Sequence, residues 1–258
     1  MKLLESTSKD GLHKLVHDPS EKARKRYVLD GNQVVGTTTF IKAGLPTSEG
    51  LINWKVKEGA KYTLENAFNP FIEKDKVIEN SVYAWKRRSK ESSDIGTVVH
   101  EYAFLTRSGK IKKAAKLLGK YEGSKNWSQI QNSIYKFDDF NKGNKDEIIA
   151  LEDIVASPTH LFAGRFDCLS RRDGLTTLSD YKTSNGFYLD QFIQGAAYSL
   201  AIKEWMGIEV DQIEVLRFGK EDGSFDSRVV RDYSPYLDQA MRCLATYNFN
   251  KTYSKLTR

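Results

Sequence analysis

One short segment, GRFDCLSRRDGLTTLSDYKTS at residues 164–184, constrains the fold of this chain more than any other. Its central Asp173-Gly174 pair favours a two-residue β-hairpin turn. With that turn, the strand register places Asp167 directly opposite Asp180. Side chains paired in this way have Cβ atoms about 4.5–5.5 Å apart. The segment therefore predicts a hairpin that holds two carboxylates close together.

Facing carboxylates repel each other, and a divalent cation removes that repulsion because hard cations take oxygen ligands. Lys182 follows Asp180 at i+2, so on a strand both side chains leave on the same face. The alternative is a surface hairpin in which Lys182 only neutralises an acidic pair. The spacing alone leaves both interpretations open.

A few more polar side chains stand out in otherwise apolar segments. Gln194 and Tyr198 are spaced i, i+4 on a predicted amphipathic helix at 189–207, so they share one helix face. His100 lies on another predicted helix, and Glu152 lies in an apolar strand, where an acid needs solvent or a partner. The alternatives are that Gln194 faces solvent, that Tyr198 packs in the core and that His100 has a structural role.

Helical and strand patterns alternate along the chain in an order typical of an α/β (α+β) domain with a mixed central β-sheet flanked by helices. A tight hairpin is predicted around Asp30-Gly31. The predicted helices are 47–67, 94–107, 127–141, 189–207 and a last one that begins at Ser234-Pro235. We expect residues 1–93 to form an N-terminal hairpin and helical region, and residues 94–258 to form the main domain.

Composition excludes several classes of protein. No apolar run approaches the roughly 18 residues of a membrane span, and the N-terminus lacks the apolar segment of a secretory signal, so a cytoplasmic protein is expected. Two cysteines, Cys168 and Cys243, are too few for a disulfide framework or a four-thiolate iron–sulfur cluster. No GxxxxGK[ST] phosphate loop occurs, which argues against an ATP-driven motor.

The charge of the chain modestly favours a polyanionic partner. Forty Lys and Arg against 34 Asp and Glu give a net charge of +6. The segment 110–125 carries six lysines and the single acid Glu122, and shorter basic clusters lie at 22–26 and 86–90. Because charge runs are often only solvated surfaces, these three clusters suggest a nucleic-acid partner without establishing one.

Five segments resemble the motifs of a known family. GTVVHEYA, LEDIV, GRFD, DYKTS and QFIQGAAY occur in the order found in the PD-(D/E)XK nuclease superfamily. The set looks most like the RecB-type branch and the single-domain exonucleases similar to the mitochondrial genome maintenance exonuclease. The resemblance covers roughly residues 94–245. Phe166 stands where the family name has proline, which removes no ligand.

The resemblance implies a restriction-endonuclease-like core in 94–258 that binds Mg²⁺ or Mn²⁺. Asp167, Asp180 and the backbone carbonyl of Tyr181 would be metal ligands, and His100 a further ligand or a residue that positions one. Lys182 would orient the attacking water and stabilise charge on the phosphate. Gln194 and Tyr198 would contact the DNA backbone or support the site. Beyond the resemblance, Glu101 and Glu152 are additional candidates as ligands of a second metal.

The same resemblance implies DNA as the substrate. Residues 1–93, outside the resemblance, are a candidate DNA-channel element. Candidate nucleic-acid contacts are Arg87, Arg88, Lys110, Lys112, Lys113, Lys116, Arg165 and Ser184. Candidate base-stacking aromatics are Tyr62, Phe68, Phe71 and Trp85. The alternative for these aromatics is simple packing within the N-terminal helices.

The sequence as a whole favours a metal-dependent DNA exonuclease of DNA repair, recombination or replication. Alternatives are an endonuclease on the same core, a catalytically inactive nuclease fold that binds DNA, and a protein with no nucleic-acid role. Candidate protein partners are a recombinase, a helicase or a single-strand-binding protein.

Overall fold

The computed structural model describes residues 3–22 and 25–254. Within them the chain forms seven helices and eleven strands arranged in two mixed sheets. The predicted α+β fold class with mixed sheet and flanking helices is therefore confirmed, and the strands are shared between two sheets. No helix in the described part is long and apolar enough to cross a bilayer. Of the basic cluster at 22–26, residues 23 and 24 lie outside the described residues.

The strands are short and follow one another in chain order with helices between the groups. They are β1 Leu4–Thr7, β2 Lys14–His17, β3 Tyr27–Leu29, β4 Asn32–Gly36, β5 Glu147–Leu151, β6 Ile154–Ser157, β7 Phe162–Arg165, β8 Cys168–Arg172, β9 Leu175–Lys182, β10 Gln212–Phe218 and β11 Phe225–Val230. One sheet has the order β1-β2-β3-β4-β7-β6, and the other has the order β11-β10-β9-β8-β5. The β4–β7 and β9–β10 pairs are parallel, and the other pairs are antiparallel.

The helices are α1 Thr37–Gly44, α2 Glu49–Asn66, α3 Lys74–Arg107, α4 Ile111–Gly119, α5 Trp127–Gly143, α6 Leu189–Met206 and α7 Ser234–Tyr253. The expected start of a helix at Asp94 is wrong, because that residue lies inside the 34-residue α3. Residues 74–93 contain no proline or glycine, so nothing in them stops a helix. Helix α6 ends as predicted, at Gly207 in the left-handed conformation that glycine favours (φ 64°).

The predicted hairpin and its register are confirmed. Asp173 and Gly174 both have positive φ (51° and 80°), as a two-residue type I′ turn requires. The β8–β9 ladder pairs Arg172 with Leu175 and continues to the pair Cys168–Ser179. Asp167 and Asp180 therefore lie one position beyond the last paired residues.

Internal contacts divide the chain into two compact units. Residues 1–45 and 99–258 form the larger unit, and residues 46–98 form the smaller one. The main core of the larger unit contains Phe40 of α1, Phe162 of β7 and Trp205 of α6, each at most 2% exposed. In the smaller unit, Ser48 caps α2 by accepting a hydrogen bond from the Leu51 N–H at 3.3 Å.

Candidate metal centre

A pair of antiparallel strands continues from one sheet into the other, and the two strands cross between the sheets side by side. Strands β5 and β8 belong to the five-stranded sheet, while β6 and β7 belong to the six-stranded sheet. The breaks between them are Glu152-Asp153 and Phe166-Asp167. The Glu152 N–H donates to the Asp167 carbonyl at 2.8 Å, and the Phe166 N–H donates to the Asp153 carbonyl at 3.1 Å. The crossing therefore brings Glu152 and Asp167 side by side.

Glu152 has a backbone conformation that is unusual for a residue with a side chain. Its φ is 48°, in the left-handed region that favours glycine. Strain of this kind persists only where the surroundings enforce it, and it is concentrated at functional sites. The Glu152 carboxylate lies 3.8 Å from His100 Nδ1 through Oε1 and 2.9 Å from Arg165 Nε through Oε2. The strained residue thus contributes one of the charges at the crossing.

Three donor atoms come together at this crossing from segments far apart in the chain. His100, on α3, places Nδ1 3.2 Å from Oδ1 of Asp167. One ligand atom each from His100, Glu152 and Asp167 lies within 4.8 Å of the others, the one such group of three or more found among the described residues. The side chains are 27%, 13% and 12% exposed, so the group is mostly buried yet reachable from solvent. We call these three residues the donor cluster.

Strand β9 fixes the other side of Asp167. The backbone N–H of Tyr181 donates to Asp167 Oδ2 at 2.7 Å. On the same strand, Lys182 Nζ donates to Asp180 Oδ1 at 2.7 Å and lies 2.6 Å from Oδ2. Asp180 and Lys182 therefore share a face of β9, as their spacing predicts. The result is an acid–lysine pair on the strand that anchors the donor cluster.

The charges of the donor cluster depend strongly on one another. Burial by itself lowers the pKa of His100, but the carboxylates of Asp167 and Glu152 outweigh it and raise the pKa to about 10. Burial by itself raises the pKa of Asp167, but His100, Lys182 and the Tyr181 N–H together lower it to about 2. Without a metal, the cluster is therefore a buried imidazolium balanced by carboxylates, and a cation that binds there replaces a proton.

In the Asp180–Lys182 pair, the pKa values of both groups are raised. Burial raises the pKa of Asp180 to about 6 with help from the charge of Asp167, although Lys182 opposes the shift. Burial lowers the pKa of Lys182, but Asp180 and Asp167 more than compensate, so its pKa is raised. Lys182 is therefore held charged in a partly buried position beside two acids.

The donor cluster fits a divalent cation. Oxygen and nitrogen donors about 2.1 Å from a six-coordinate ion are roughly 3 to 4.2 Å apart. The distances of 3.2 Å and 3.8 Å from His100 Nδ1 to the two carboxylates lie within this range. One imidazole and two carboxylates form a donor set that is compatible with a divalent metal ion. The residues that would hold the ion are His100, Glu152 and Asp167.

Gln194 and Tyr198 form a second polar pair, on helix α6. Gln194 Nε2 donates to the Tyr198 hydroxyl at 2.8 Å, and Tyr198 is 5% exposed. The Tyr198 ring lies directly against Gly164 of β7, where an added Cβ would overlap it and would lie 2.9 Å from Thr37 Oγ1. The glycine of the GRFD segment is therefore needed so that Tyr198 can pack against the strand that leads to Asp167.

The other predicted site residues are not members of the donor cluster. Glu101 is exposed and does not belong to the donor cluster. Arg165 is occupied by its ion pair with Glu152. The Ser184 hydroxyl donates to the Gly186 carbonyl at 2.7 Å. Tyr181 contributes its backbone N–H, and its buried side chain points away from Asp180.

The predicted nucleic-acid contacts are described within each unit. In the larger unit, the lysines of α4 are exposed, namely Lys112, Lys113 and Lys116, and Lys110 precedes them with its Nζ 4.8 Å from the Phe104 ring. In the smaller unit, Arg87 and Arg88 are exposed on α3. Phe68 and Phe71 are 96% and 93% exposed, so they are not packed among helices, whereas Tyr62 and Trp85 are partly buried.

Sequence reasoning missed a group of mostly buried charged side chains away from the donor cluster. Arg107, Asp146, Arg172 and Glu214 are joined by hydrogen bonds of 2.6 to 3.2 Å. The one signal for this group was Glu214, an acid inside the apolar strand QIEVLRF. Such an acid needs a partner when it is buried.

Known proteins offer only weak similarity. No protein-family model and no curated protein matches the chain. An alkaline exonuclease from Laribacter hongkongensis is similar over 47% of this chain and 70% of its own, at 13% identity and a TM-score of 0.29. The protein SSO0001 is similar over 61% of this chain and 75% of its own, at 12% identity and a TM-score of 0.32. At values this low, neither structure identifies a fold or an activity for this chain.

Proposed function

We propose that this chain is a divalent-metal-dependent DNA exonuclease that hydrolyses phosphodiester bonds in DNA repair, recombination or replication. The observation that carries the proposal is the donor cluster of His100, Glu152 and Asp167 next to the Asp180–Lys182 pair. A Mg²⁺ or Mn²⁺ ion at such a site supplies an activated water and charge compensation at phosphorus. Both are needed for phosphodiester hydrolysis near neutral pH.

The residues of the chain have distinct proposed roles around that ion. His100, Glu152 and Asp167 bind it, and Asp180 and the Tyr181 carbonyl are proposed as further ligands. Lys182, held charged by Asp180, orients the attacking water and stabilises the negative charge that develops on the phosphate. Gln194 and Tyr198 support the site from α6.

The substrate follows from the charge of the surface. The exposed lysines of α4 can follow a phosphate backbone, and Arg87, Arg88, Arg165 and Ser184 are proposed as further contacts. Replacing Lys112, Lys113 and Lys116 together by alanine should reduce the slope of log affinity against log salt by about 2 to 3, at roughly 0.7–0.9 for each phosphate that is no longer neutralised. Binding of a labelled oligonucleotide, titrated at several salt concentrations, measures this slope. An unchanged slope would remove α4 from the DNA-binding surface.

Two other functions use the same residues. An endonuclease on this core would differ in access to its site, which the donor cluster does not determine. An inactive DNA-binding module would gain nothing from three ligating side chains and a charged lysine gathered at one crossing. That arrangement favours an enzyme over an inactive module.

The test is digestion of end-labelled linear and closed circular DNA, single- and double-stranded, with Mg²⁺, Mn²⁺ or EDTA. Asp167→Asn and Lys182→Ala are compared with Asp139→Asn, which alters an exposed carboxylate on α5. Metal-dependent loss of linear DNA only, absent in the first two variants and retained in the third, supports an exonuclease. Cleavage of closed circles indicates an endonuclease. DNA binding without cleavage under either metal contradicts the proposal and favours an inactive module.

A further inference from the structure

Helix α3 is fixed to strand β9 and its neighbours at two points along one helix face. The first point is His100, whose Nδ1 contacts Asp167. The second is Arg107, whose Nη1 donates to the Tyr181 hydroxyl at 2.9 Å. Seven residues separate the two, which is about two helical turns and roughly 10 Å along the helix axis. The position of the imidazole therefore depends on both attachments.

Tyr181 connects the second attachment to the donor cluster. It lies between Asp180 and Lys182 on β9, so its side chain leaves on the opposite face of the sheet. The ring is 2% exposed and packs edge-on against Phe137 and Phe218, with ring centroids 5.8 and 6.0 Å away. The backbone N–H of the same residue donates to Asp167. A shift of the Tyr181 ring would therefore move this N–H group, which holds Asp167 of the donor cluster in place.

Arg107 also reaches a buried acid. Its Nη2 donates to Asp146 at 3.2 Å, and the two side chains are 3% and 0% exposed. Asp146 accepts further hydrogen bonds from Arg172 at 2.7 Å, Asn144 at 2.6 Å and Ser170 at 3.2 Å. A carboxylate with four donors has one stable position.

This network contacts α3, β8, β9 and the residue that precedes β5, each of which carries, adjoins or hydrogen-bonds a member of the donor cluster. Arg107 belongs to α3, which carries His100, and Asp146 immediately precedes β5, which leads to Glu152. Ser170 and Arg172 belong to β8, which begins directly after Asp167, and Tyr181 belongs to β9. The four elements are thus held at a second set of points, away from the donor atoms themselves.

A buried ion network is an expensive way to stabilise a fold, because well-packed apolar residues of similar size often do as well or better. What charged hydrogen bonds add is a defined geometry. We infer that Arg107 is a positioning residue, which fixes His100 relative to Glu152 and Asp167 through its hydrogen bonds to Tyr181 and Asp146. The inference rests on the proposed function, since it concerns the metal ion that this function requires.

The experiment removes one hydroxyl at a time from two tyrosines near α3. Tyr181→Phe deletes the hydrogen bond to Arg107 and leaves the ring and the backbone N–H in place. Tyr102→Phe is the matched control, because Tyr102 lies on α3 and donates to Asp138 at 3.0 and 3.1 Å, outside the network. We expect Tyr181→Phe to weaken Mn²⁺ binding about tenfold, as loss of an outer-shell partner does, and Tyr102→Phe to leave it unchanged.

Calorimetric titration with Mn²⁺ and no DNA gives the affinity, and thermal unfolding of each variant shows whether the fold is retained. In DNA digestion, Tyr181→Phe should lower kcat and leave KM within about twofold of the wild-type value, because the network contacts no substrate. Arg107→Lys and Arg107→Met provide a second test. The lysine variant keeps a charge beside Asp146 and should recover part of the Mn²⁺ affinity that the methionine variant loses.

The outcomes separate the two hypotheses. If the wild-type chain binds Mn²⁺ and His100→Ala abolishes that binding, while Tyr181→Phe behaves like Tyr102→Phe, the positioning role is refuted and the proposed function is not. If Arg107→Met folds and binds Mn²⁺ as tightly as the wild type, the positioning role is again refuted. If the wild-type chain binds no Mn²⁺, both hypotheses are refuted.

Discussion

The two compact units differ in how many apolar side chains they bury: the larger unit has an extensive core, whereas the smaller unit buries few, among them Val77, Ile95 and Val98. In the larger unit, large apolar side chains such as Phe162, Phe166 and Trp205 are at most 2% exposed. In the smaller unit, Leu64, Phe68 and Phe71 are 78%, 96% and 93% exposed. None of the eighteen residues of α2, all of which the structure describes, is buried. An apolar side chain therefore indicates burial only where a second layer of structure is available to cover it.

All three members of the donor cluster lie in the larger unit, where neighbouring groups fix their positions. Each donor of the cluster is held by another named group, such as the Tyr181 N–H on Asp167 or Arg165 on Glu152. Positions defined to this degree need rigid elements and a surrounding core. Substitutions in the larger unit should therefore alter activity and stability strongly, and substitutions in the smaller unit should alter them little.

The largest expected effect is on catalysis in the larger unit. Asp167→Asn keeps the size of the side chain but removes the charge that balances His100 and is proposed to bind the metal. We expect kcat/KM for DNA hydrolysis to fall by about 10³, in the range observed when a single electrostatic catalytic group is lost. Steady-state digestion with Mg²⁺ measures it. Wild-type activity in Asp167→Asn would show that the donor cluster is not the active site.

Gly164→Ala should lower the stability of the fold without removing a candidate metal ligand. The added Cβ would overlap the Tyr198 ring and lie 2.9 Å from Thr37 Oγ1, so at least one of these side chains would have to shift. Overpacking of a buried position costs about 1–3 kcal/mol, and we expect the upper end of that range. Urea unfolding measures the change, with Gly143→Ala as the control, because a Cβ there meets no atom within 4 Å. Equal stabilities of the two variants would contradict the close packing of Tyr198.

His17 should make the larger unit sensitive to acid. Burial, together with the charges of Arg165 and Arg26, lowers the pKa of His17 to about 4, against about 6.5 in the unfolded chain. Between these values the unfolded state binds a proton that the folded state does not, so stability falls as the pH falls from about 6.5 to 4. Removing the imidazole should recover about 2–3 kcal/mol at the acid end.

His17→Phe is the suitable variant, because it keeps a ring to stack on Tyr27, 4.6 Å away between centroids. Its free energy of unfolding should decline less with acid than that of the wild type. His13→Gln serves as the control, since His13 is partly exposed on the surface and pairs with Asp30. If the two variants show the same pH dependence, the pKa of His17 is not lowered by folding.

The smallest expected effect lies in the smaller unit. Leu64→Ala should change the free energy of unfolding by no more than about 0.5 kcal/mol, because a side chain that is 78% exposed buries little apolar area. The same substitution at Leu178, which is 1% exposed, should cost about 2–5 kcal/mol. Urea unfolding of both variants makes the comparison. A cost at Leu64 similar to that at Leu178 would show that the apolar surface of α2 is covered in solution.

Local signals in the sequence were enough for part of the site. The Asp173-Gly174 turn determined the register of β8 and β9, and the two-residue period of a strand placed Lys182 beside Asp180. Both inferences concern neighbours within one hairpin, where spacing along the chain is also spacing in the structure.

Other parts of the site depended on distant contacts. The stretch 148–157 reads as one apolar strand, yet Glu152 and Asp153 divide it between two sheets. His100 and Asp167 are 67 residues apart, and only tertiary packing brings them together. Glu152 was consequently a minor expectation from sequence, although it belongs to the donor cluster. The same limit explains why the α2 surface could not be recognised as exposed.

Two requirements conflict at Glu152, namely an unstrained backbone and a negatively charged side chain. A left-handed φ costs a residue with a Cβ about 1 kcal/mol or more, and glycine adopts it freely. A glycine at 152 would relax the turn between the sheets but would leave His100 and Arg165 without their shared carboxylate. Glu152 therefore costs folding free energy but places a negative charge at the point where the chain passes between the sheets.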